Sequence, residues 1–312
     1  MREQDYIYEV YKERNFSRAA RNLFLSQPAL SMAVKKTEEE LGITIFDRSA
    51  SPLRLTEEGK VYIKALEEIR ATESSMKRQL ADMAELRTGH VVVSGENFVS
   101  SFILPDILMA YSDKYRGIDV ELTESNSPDL RELLLNETID LLIAHDFDPE
   151  YYKAEELFRE SVLLAVPKAF PINRSEAIRP YAVEARDILS GSYADAPAVD
   201  LSLFAQEQFL LLRQGNDMCR RAQTLCAEAG FTPNARIRLD QLITSYNLTS
   251  AGMGIAFVSD VLVQKAGARD CIYYRLQSPN AVRTMSIGYK RNHYLSRAAM
   301  AFIQTAKEEY GR

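Results

Sequence analysis

Three cysteines in 312 residues supply neither a disulfide framework nor a metal-binding spacing. Cys219 and Cys226 lie seven residues apart in a helical pattern, about 10 Å along a helix axis, which is beyond disulfide reach unless the helix unwinds. They read as small apolar fillers, with a redox switch as the alternative. The three histidines, His90, His145 and His293, stand in separate segments without ligand spacing, so no metal site is expected. No run approaches ~18 consecutive apolar residues, so no membrane span is expected. The opening MREQDYIYEVYKER lacks the apolar stretch of a signal peptide, which points to the cytoplasm. No Ser/His/Asp, Cys/His or paired-carboxylate arrangement stands out, so neither an enzyme nor a cofactor is expected. Gly252-Met253-Gly254 lacks the third glycine of a dinucleotide fingerprint and precedes a strand pattern, and it reads as a turn.

A basic excess is missing too: the net charge is −6. Its distribution is uneven. Residues 1–88 hold 15 Lys/Arg and 15 Asp/Glu, while the remainder holds 23 and 29 and carries the whole −6. In the neutral part, Arg18, Arg21, Lys35, Lys36, Arg48 and Arg54 alternate with acidic runs such as Glu38-Glu39-Glu40. A surface there can be locally basic in an acidic chain, which keeps nucleic acid open as a partner. At this length, two or more domains are expected.

Apolar residues at Tyr6, Ile7, Val10 and Tyr11 predict a first helix. Ser17 is a candidate cap for a second, Arg18 to about Phe24, and Ser26, followed by Pro28, for a third running to about Glu40. Leu30, Val34 and Leu41 should face the core of that third helix. Two short helices joined by a tight turn, the second displaying small polar and basic residues, make a helix-turn-helix pattern. Ile43–Phe46 and Leu53–Leu55 alternate like the two strands of a wing with Arg48 near its tip. Thr56-Glu57-Glu58-Gly59 opens a long helix whose seam, Tyr62, Leu66, Ile69, Met76, Leu80 and Met83, predicts pairing with a second copy. From residue 90, strand and helix alternate twice: Val91–Val93, Phe102–Tyr115, Ile118–Leu122, Asp129–Asn136, Ile139–Ala144, then Phe209–Leu212, Asp217–Ala229, Ala235–Leu239, Gln241–Ser250, Ile255–Val258. Two parallel α/β lobes follow, joined by crossovers at Leu163–Val166 and near Cys271–Leu276, with a cleft between them.

The ordered run Phe16-Ser17-Arg18-Ala19-Ala20-Arg21-Asn22-Leu23 and Ser26-Gln27-Pro28-Ala29-Leu30-Ser31 resembles the LysR-type transcriptional regulators. Glu38-Glu39-Glu40-Leu41-Gly42, Phe46-Asp47-Arg48 and Leu55-Thr56-Glu57-Glu58-Gly59 extend the likeness, and it continues more loosely through Leu104-Pro105, Leu163–Pro167 and Ala251–Ala256. The resemblance implies α plus α/β architecture: a winged helix-turn-helix (1–58), a linker and dimerisation helix (59–89) and a periplasmic-binding-protein-like effector domain (90–312). Lobe I of that domain would hold about 90–162 and 270–312, and lobe II 163–269. It also implies a homodimer or homotetramer on an interrupted palindrome in double-stranded DNA near a promoter, RNA polymerase as a partner, and a small effector. Thr37, where the family usually has an apolar residue, and Met32-Ala33, where it has polar or basic ones, depart from the pattern. The Met32 departure suggests base reading by apolar contact.

The expected DNA-facing set is Arg18, Gln27, Pro28, Ala29, Ser31, Met32, Lys35 and Arg48. Gln27 can bond a base edge or a phosphate, and Lys35 and Arg48 suit phosphates. Strand ends and family positions suggest an effector set of Ser100, Ser101, Asn126, Ser127, His145, Arg213, Gln214, Gly215 and Asn216. Hydroxyls and N–H groups at a helix start, with Arg213, favour a small carboxylate or amino acid. The alternatives are a second domain that only oligomerises, and an α/β enzyme fused to a DNA-binding domain.

Overall fold

The structure, a computed structural model, describes residues 3–50, 52–82, 89–124 and 127–311. It divides into two compact units, residues 1–77 and 78–312. In the first, α1 (Glu3–Glu13) buries Ile7 and Val10. Helix α2 (Phe16–Asn22) is capped by Asn15 and not by Ser17: the Asn15 side chain accepts from the Arg18 N–H at 2.9 Å, and Ser17 lies inside the helix. Asn15 and Ser17, two residues apart, both carry a side-chain oxygen able to accept from free N–H groups of a first turn, so the start is ambiguous in the sequence. Helix α3 (Gln27–Leu41) begins as expected, with Ser26 Oγ accepting from the Ala29 N–H at 3.3 Å, and ends at Gly42 with φ +68°. Leu30 and Val34 are fully buried, whereas Leu41 is 49% exposed, and Thr37 and Glu38 fill the next inward turn instead.

The wing strands are short. β1 (Phe46–Asp47) and β2 (Arg54–Leu55) pair antiparallel, Phe46 opposite Leu55. Pairing starts late because the Ile45 and Phe46 N–H groups donate to Glu38 Oε1, at 2.7 and 3.2 Å. Helix α4 (Glu57–Asp82) follows, with Thr56 Oγ1 accepting from the Gly59 N–H at 2.9 Å. A Cβ at Gly59 would lie 2.1 Å from the Ile45 carbonyl oxygen, so only glycine lets helix and wing approach. Ile63 and Leu66 are buried in one core with Ile7, Leu30, Val34 and Ile45, and Tyr62 packs against it. Much of the helix expected at 59–89 as a separate linker therefore belongs to the first unit. Tyr62 and Leu66 face inward in their own chain, not toward a partner.

The second unit opens with β3 (Gly89–Gly95), α5 (Asn97–Phe102), α6 (Leu104–Lys114), β4 (Ile118–Glu124), α7 (Ser127–Leu135) and β5 (Leu141–Ala144). The helix expected at 102–115 is α6, with Pro105 in its first turn where the missing N–H costs nothing, and a short helix that was not expected, α5, precedes it. Strand β6 (Tyr152–Pro167) is sixteen residues long and serves two sheets. Its first part pairs with β12 (Val282–Lys290), giving the order β4-β3-β5-β12-β6, with β3 parallel to β4 and β5. Its last residues pair with β10 (Ala256–Ser259) and β11 (Cys271–Leu276), and β11 in turn with β7 (Ala198–Val199). Beyond β10, a bridge from Ile255 to Phe209 leads to the parallel pair β8 (Gln208–Leu212) and β9 (Asn234–Leu239). Cys271–Leu276, expected as a crossover and as the start of lobe I's second piece at 270, lies wholly in the second sheet; the chain returns after Leu276. Helices α9 (Asp217–Glu228) and α10 (Leu242–Ser250) follow β8 and β9. Helices α8 (Ala185–Leu189), α11 (Asp260–Ala266) and α12 (Arg297–Tyr310) cover the sheets, α12 tied to α6 by Tyr111 Oη donating to the Ala298 carbonyl at 2.9 Å. Among the described residues, no helix is long and apolar enough to cross a membrane.

Candidate functional site

In the first unit, α3 turns Gln27, Pro28, Met32 and Lys35 to solvent and leaves Ala29 and Ser31 partly covered. Met32 is 69% exposed, a large apolar side chain without a core to enter. Arg48 is drawn to the same helix. Its Nη2 donates to Glu38 Oε2 at 2.9 Å, its Nη1 to Ser31 Oγ at 3.4 Å, and its guanidinium lies 5.2 Å over the Phe16 ring. Lys35 stands 3.3 Å from Glu39, an exposed pair weak enough to exchange for another anion. Arg18 is less available: it donates to the Glu13 carbonyl at 2.8 Å and lies 3.4 Å from the Glu13 carboxylate. Six of the eight expected residues thus cluster along α3, Arg48 joins them, and Arg18 folds back on α1.

In the second unit, the carboxyl ends of β3, β4, β5, β8 and β9 converge on a cleft of about 520 Å³. The first sheet contributes Glu96 and the first turn of α5, Glu124, Asp129, His145 and Arg283; the second contributes Arg213–Asn216 and Asp240–Leu242. Glu96 Oε2 accepts from Asn216 Nδ2 at 3.2 Å, joining the two sides. Gly215, at φ +94°, gives the β8–α9 loop the left-handed turn it needs. His145 and Arg213–Asn216 therefore stand where the sequence suggested. Ser100 and Ser101 do not line the cleft. Ser100 is buried and donates to the Gly95 carbonyl at 3.2 Å, and Ser101 faces solvent, because both lie inside α5, which begins at Asn97 ahead of the expected helix. Asn126 and Met83 lie outside the described residues, as do the side chains of Ser127 and Leu80.

Behind the cleft sits a buried charge network. Arg283 on β12 lies opposite Glu160 on β6, with Nε 2.6 Å from Glu160 Oε1, and its Nη1 donates to Asp217 Oδ2 at 2.8 Å. His145 Nε2 is 2.8 Å from Glu160 Oε1. Asp217, at the start of α9, also accepts from Arg221 Nε at 2.9 Å, and Arg221 reaches Asp146 at 3.0 Å. The network thus ties the first sheet's Arg283, His145 and Asp146 to the second sheet's α9. Burial alone would raise the Glu160 carboxyl; Arg283 and His145 outweigh it and hold it at about 2. Burial would likewise raise Asp217, but Arg283, His145 and Arg221 keep it well below the usual range. Burial and then Arg283 lower His145, against the opposing pull of Glu160 and Asp217. Nothing local in the sequence marks Arg283 or Glu160, which sit in strands distant along the chain.

All three thiols are free and buried. Burial raises Cys219 and pushes Cys226 and Cys271 up to about 12, so thiolate, the reactive form, is suppressed. That is the environment of fillers and not of a redox switch.

A family model described as the bacterial regulatory helix-turn-helix protein of the lysR family matches residues 1–60, and the LysR substrate binding domain matches residues 84–311. The chain belongs to the LysR family of transcriptional regulators. It is 28% identical over 307 residues to the uncharacterized HTH-type transcriptional regulator YcgK of Bacillus subtilis, covering 97% of this chain and 93% of that protein. It is 24% identical over 314 residues to the hydrogen peroxide-inducible genes activator of Haemophilus influenzae, covering 98% and 97%. The full-length CbnR complexed with its target DNA superposes with a TM-score of 0.64 at 18% identity, covering 98% of each chain. This LysR-family chain is accordingly a DNA-binding transcriptional regulator with an effector-binding domain, and not an enzyme.

Proposed function

We propose that α3 reads DNA in the major groove and that the cleft between the two sheets binds a small-molecule effector which sets how this regulator acts on a promoter. The observation that carries the sensor reading is the cleft itself, built from the carboxyl ends of strands in both sheets and bridged by Glu96 and Asn216. A ligand touching both sides favours one closure angle, since only differential binding shifts a conformational equilibrium. Family membership supports an interrupted palindrome as target, RNA polymerase as partner and the cytoplasm as location. The peroxide response named for the Haemophilus relative does not transfer, because the three thiols here are buried and protonated.

Binding of the full-length protein to duplexes selected from a random pool tests the DNA reading. Affinity should fall roughly 10³- to 10⁵-fold between 50 and 200 mM salt if 6–10 phosphates are contacted. Lys35→Ala should weaken binding to every sequence alike, whereas Gln27→Ala should also relax sequence preference. No binding in a low-salt gel-shift titration would sink the reading.

For assembly, Ile69 and Met76 of the expected seam are exposed and support self-pairing, whereas Tyr62 and Leu66 turn inward. Val61, Ala65, Ile69 and Met76 lie on one face and are exposed, Ile69 by 45% and Met76 by 53%. Ile69→Glu with Met76→Glu should place like charges in that interface and give monomers by sedimentation, with the fold intact. Leu66→Glu should instead unfold the first unit. An unchanged oligomer in the double mutant would move the interface elsewhere.

A further inference from the structure

We propose that the ligand of the cleft is a small organic cation, an ammonium or guanidinium group on a short apolar body. This rests on the reading of the cleft as the effector site and names the chemistry it selects. Four carboxylates line it, Glu96, Glu124, Asp129 and Asp240, against the cations of Arg213 and Arg283. Arg283 is not at a ligand's disposal: its side chain is 3% exposed and spends its charge on Glu160 and Asp217. Arg213 is, among the described residues, the one accessible cation of the lining, exposed at the rim 3.4 Å from the equally exposed Asp240, which offsets its charge there. Among the described residues, no cation pairs with Glu96 or Glu124.

The Ser100 and Ser101 support for a carboxylate ligand has gone with that geometry, Arg213 faces Asp240, and an anion here would meet Glu96 and Glu124 as like charges. Glu96 is the centre of the site. It is half-buried where both sheets meet, and its one bond is the 3.2 Å contact from Asn216. Burial raises its carboxyl and the neighbouring Asp217 adds to this, against the weaker pull of Arg283 and Arg131. A cation held against Glu96 would return what burial takes away from the ionised form. Phe98, Ile143 and Leu242 line the same cleft and would cover the apolar body.

The full-length protein, titrated calorimetrically at low salt with agmatine, putrescine and choline and, in parallel, with succinate and benzoate, tests this. At least one amine should bind and neither carboxylate should. Glu96→Gln should weaken that amine at least tenfold, with folding verified by thermal unfolding. Glu124→Gln, on the exposed rim, should weaken it several-fold and keeps the test standing if Glu96→Gln misfolds. Carboxylates binding in place of amines would overturn the cation and leave the sensor reading intact. Equal amine affinity in wild type and both variants would overturn the assignment to Glu96 and Glu124. Binding by none of the five probes, with DNA affinity unmoved by any of them, would count against the cation and the sensor reading together.

Discussion

Arg283→Met should cost the second unit about 3–5 kcal/mol, because removing one partner of a buried ion pair leaves the other charge uncompensated. For a unit of this size the loss should appear as a fall in Tm on the order of 10 °C. Glu160, at 1% exposure, would keep His145 but lose its cation, and Asp217 at the start of α9 would keep Arg221 but lose its buried partner. Arg283→Lys should fall between, since one ammonium cannot serve both acceptors with the geometry of a guanidinium. Acid should act in the same direction on the wild type. Glu160 titrates at about 2 when folded and near 4.5 otherwise, so its stabilising contribution is complete above pH 4.5 and is lost as pH falls through 2. His145 is lowered from 6.5 by burial and Arg283, so its neutral form stabilises fully above that value and progressively less below it. Glu96, raised by burial, works oppositely, losing its contribution as pH rises past its ordinary range. Glu160 and Asp217, both held low, lose their contributions only below the ordinary carboxylate range, so Tm should decline as pH falls from about 4.5 toward 2. An Arg283→Met protein with wild-type Tm would show that the network contributes no net stability.

The elements whose signals are local were legible in the residues. Ser26, Pro28 and Gly42 bracket α3 because a cap needs an oxygen, a first turn tolerates proline and a left-handed exit wants glycine. The alternation of strands and helices was legible for the same reason. What escaped depends on which surface meets which. A stripe at Tyr62 and Leu66 has one spacing whether it packs on its own chain or on a partner, and only the buried contacts of Ile63 and Leu66 separate the cases. Strand β6 reads as a crossover at Leu163–Val166 because its pattern passes from half-buried to wholly apolar there, which marks entry into a second sheet and not a break. The cleft was legible at His145 and Arg213–Asn216, which follow strands directly, and misplaced at Ser100 and Ser101, which lie inside a short helix, α5, ahead of the expected one. Glu96, Arg283 and Glu160 draw their roles from contacts between segments far apart along the chain.

Glu38→Ala should disable the DNA-binding unit, although in the sequence Glu38 is one of an acidic run of three glutamates. Glu38 is buried to 8% exposure and accepts three hydrogen bonds: Ile45 N–H at 2.7 Å, Phe46 N–H at 3.2 Å and Arg48 Nη2 at 2.9 Å. The first two are backbone donors at the point where the chain turns from α3 into the wing. An unpaired buried donor costs about 1–3 kcal/mol, so losing both costs roughly 2–6 kcal/mol. That is a large share of the stability of a unit of under eighty residues. Arg48 would lose the carboxylate that holds it beside Ser31 and over the Phe16 ring. DNA affinity should fall at least a hundredfold, and the unfolding transition of the first unit should move down. Arg48→Ala separates the two contributions. Its guanidinium is 39% exposed, so its removal should alter stability by under about 1 kcal/mol and weaken DNA mainly through a lost phosphate partner. Glu38→Gln keeps one oxygen to accept both N–H groups but loses the acceptor of Arg48, and should lie between the two. If Glu38→Ala binds DNA as the wild type does, with unchanged unfolding, the wing does not need the carboxylate that the geometry places beneath it.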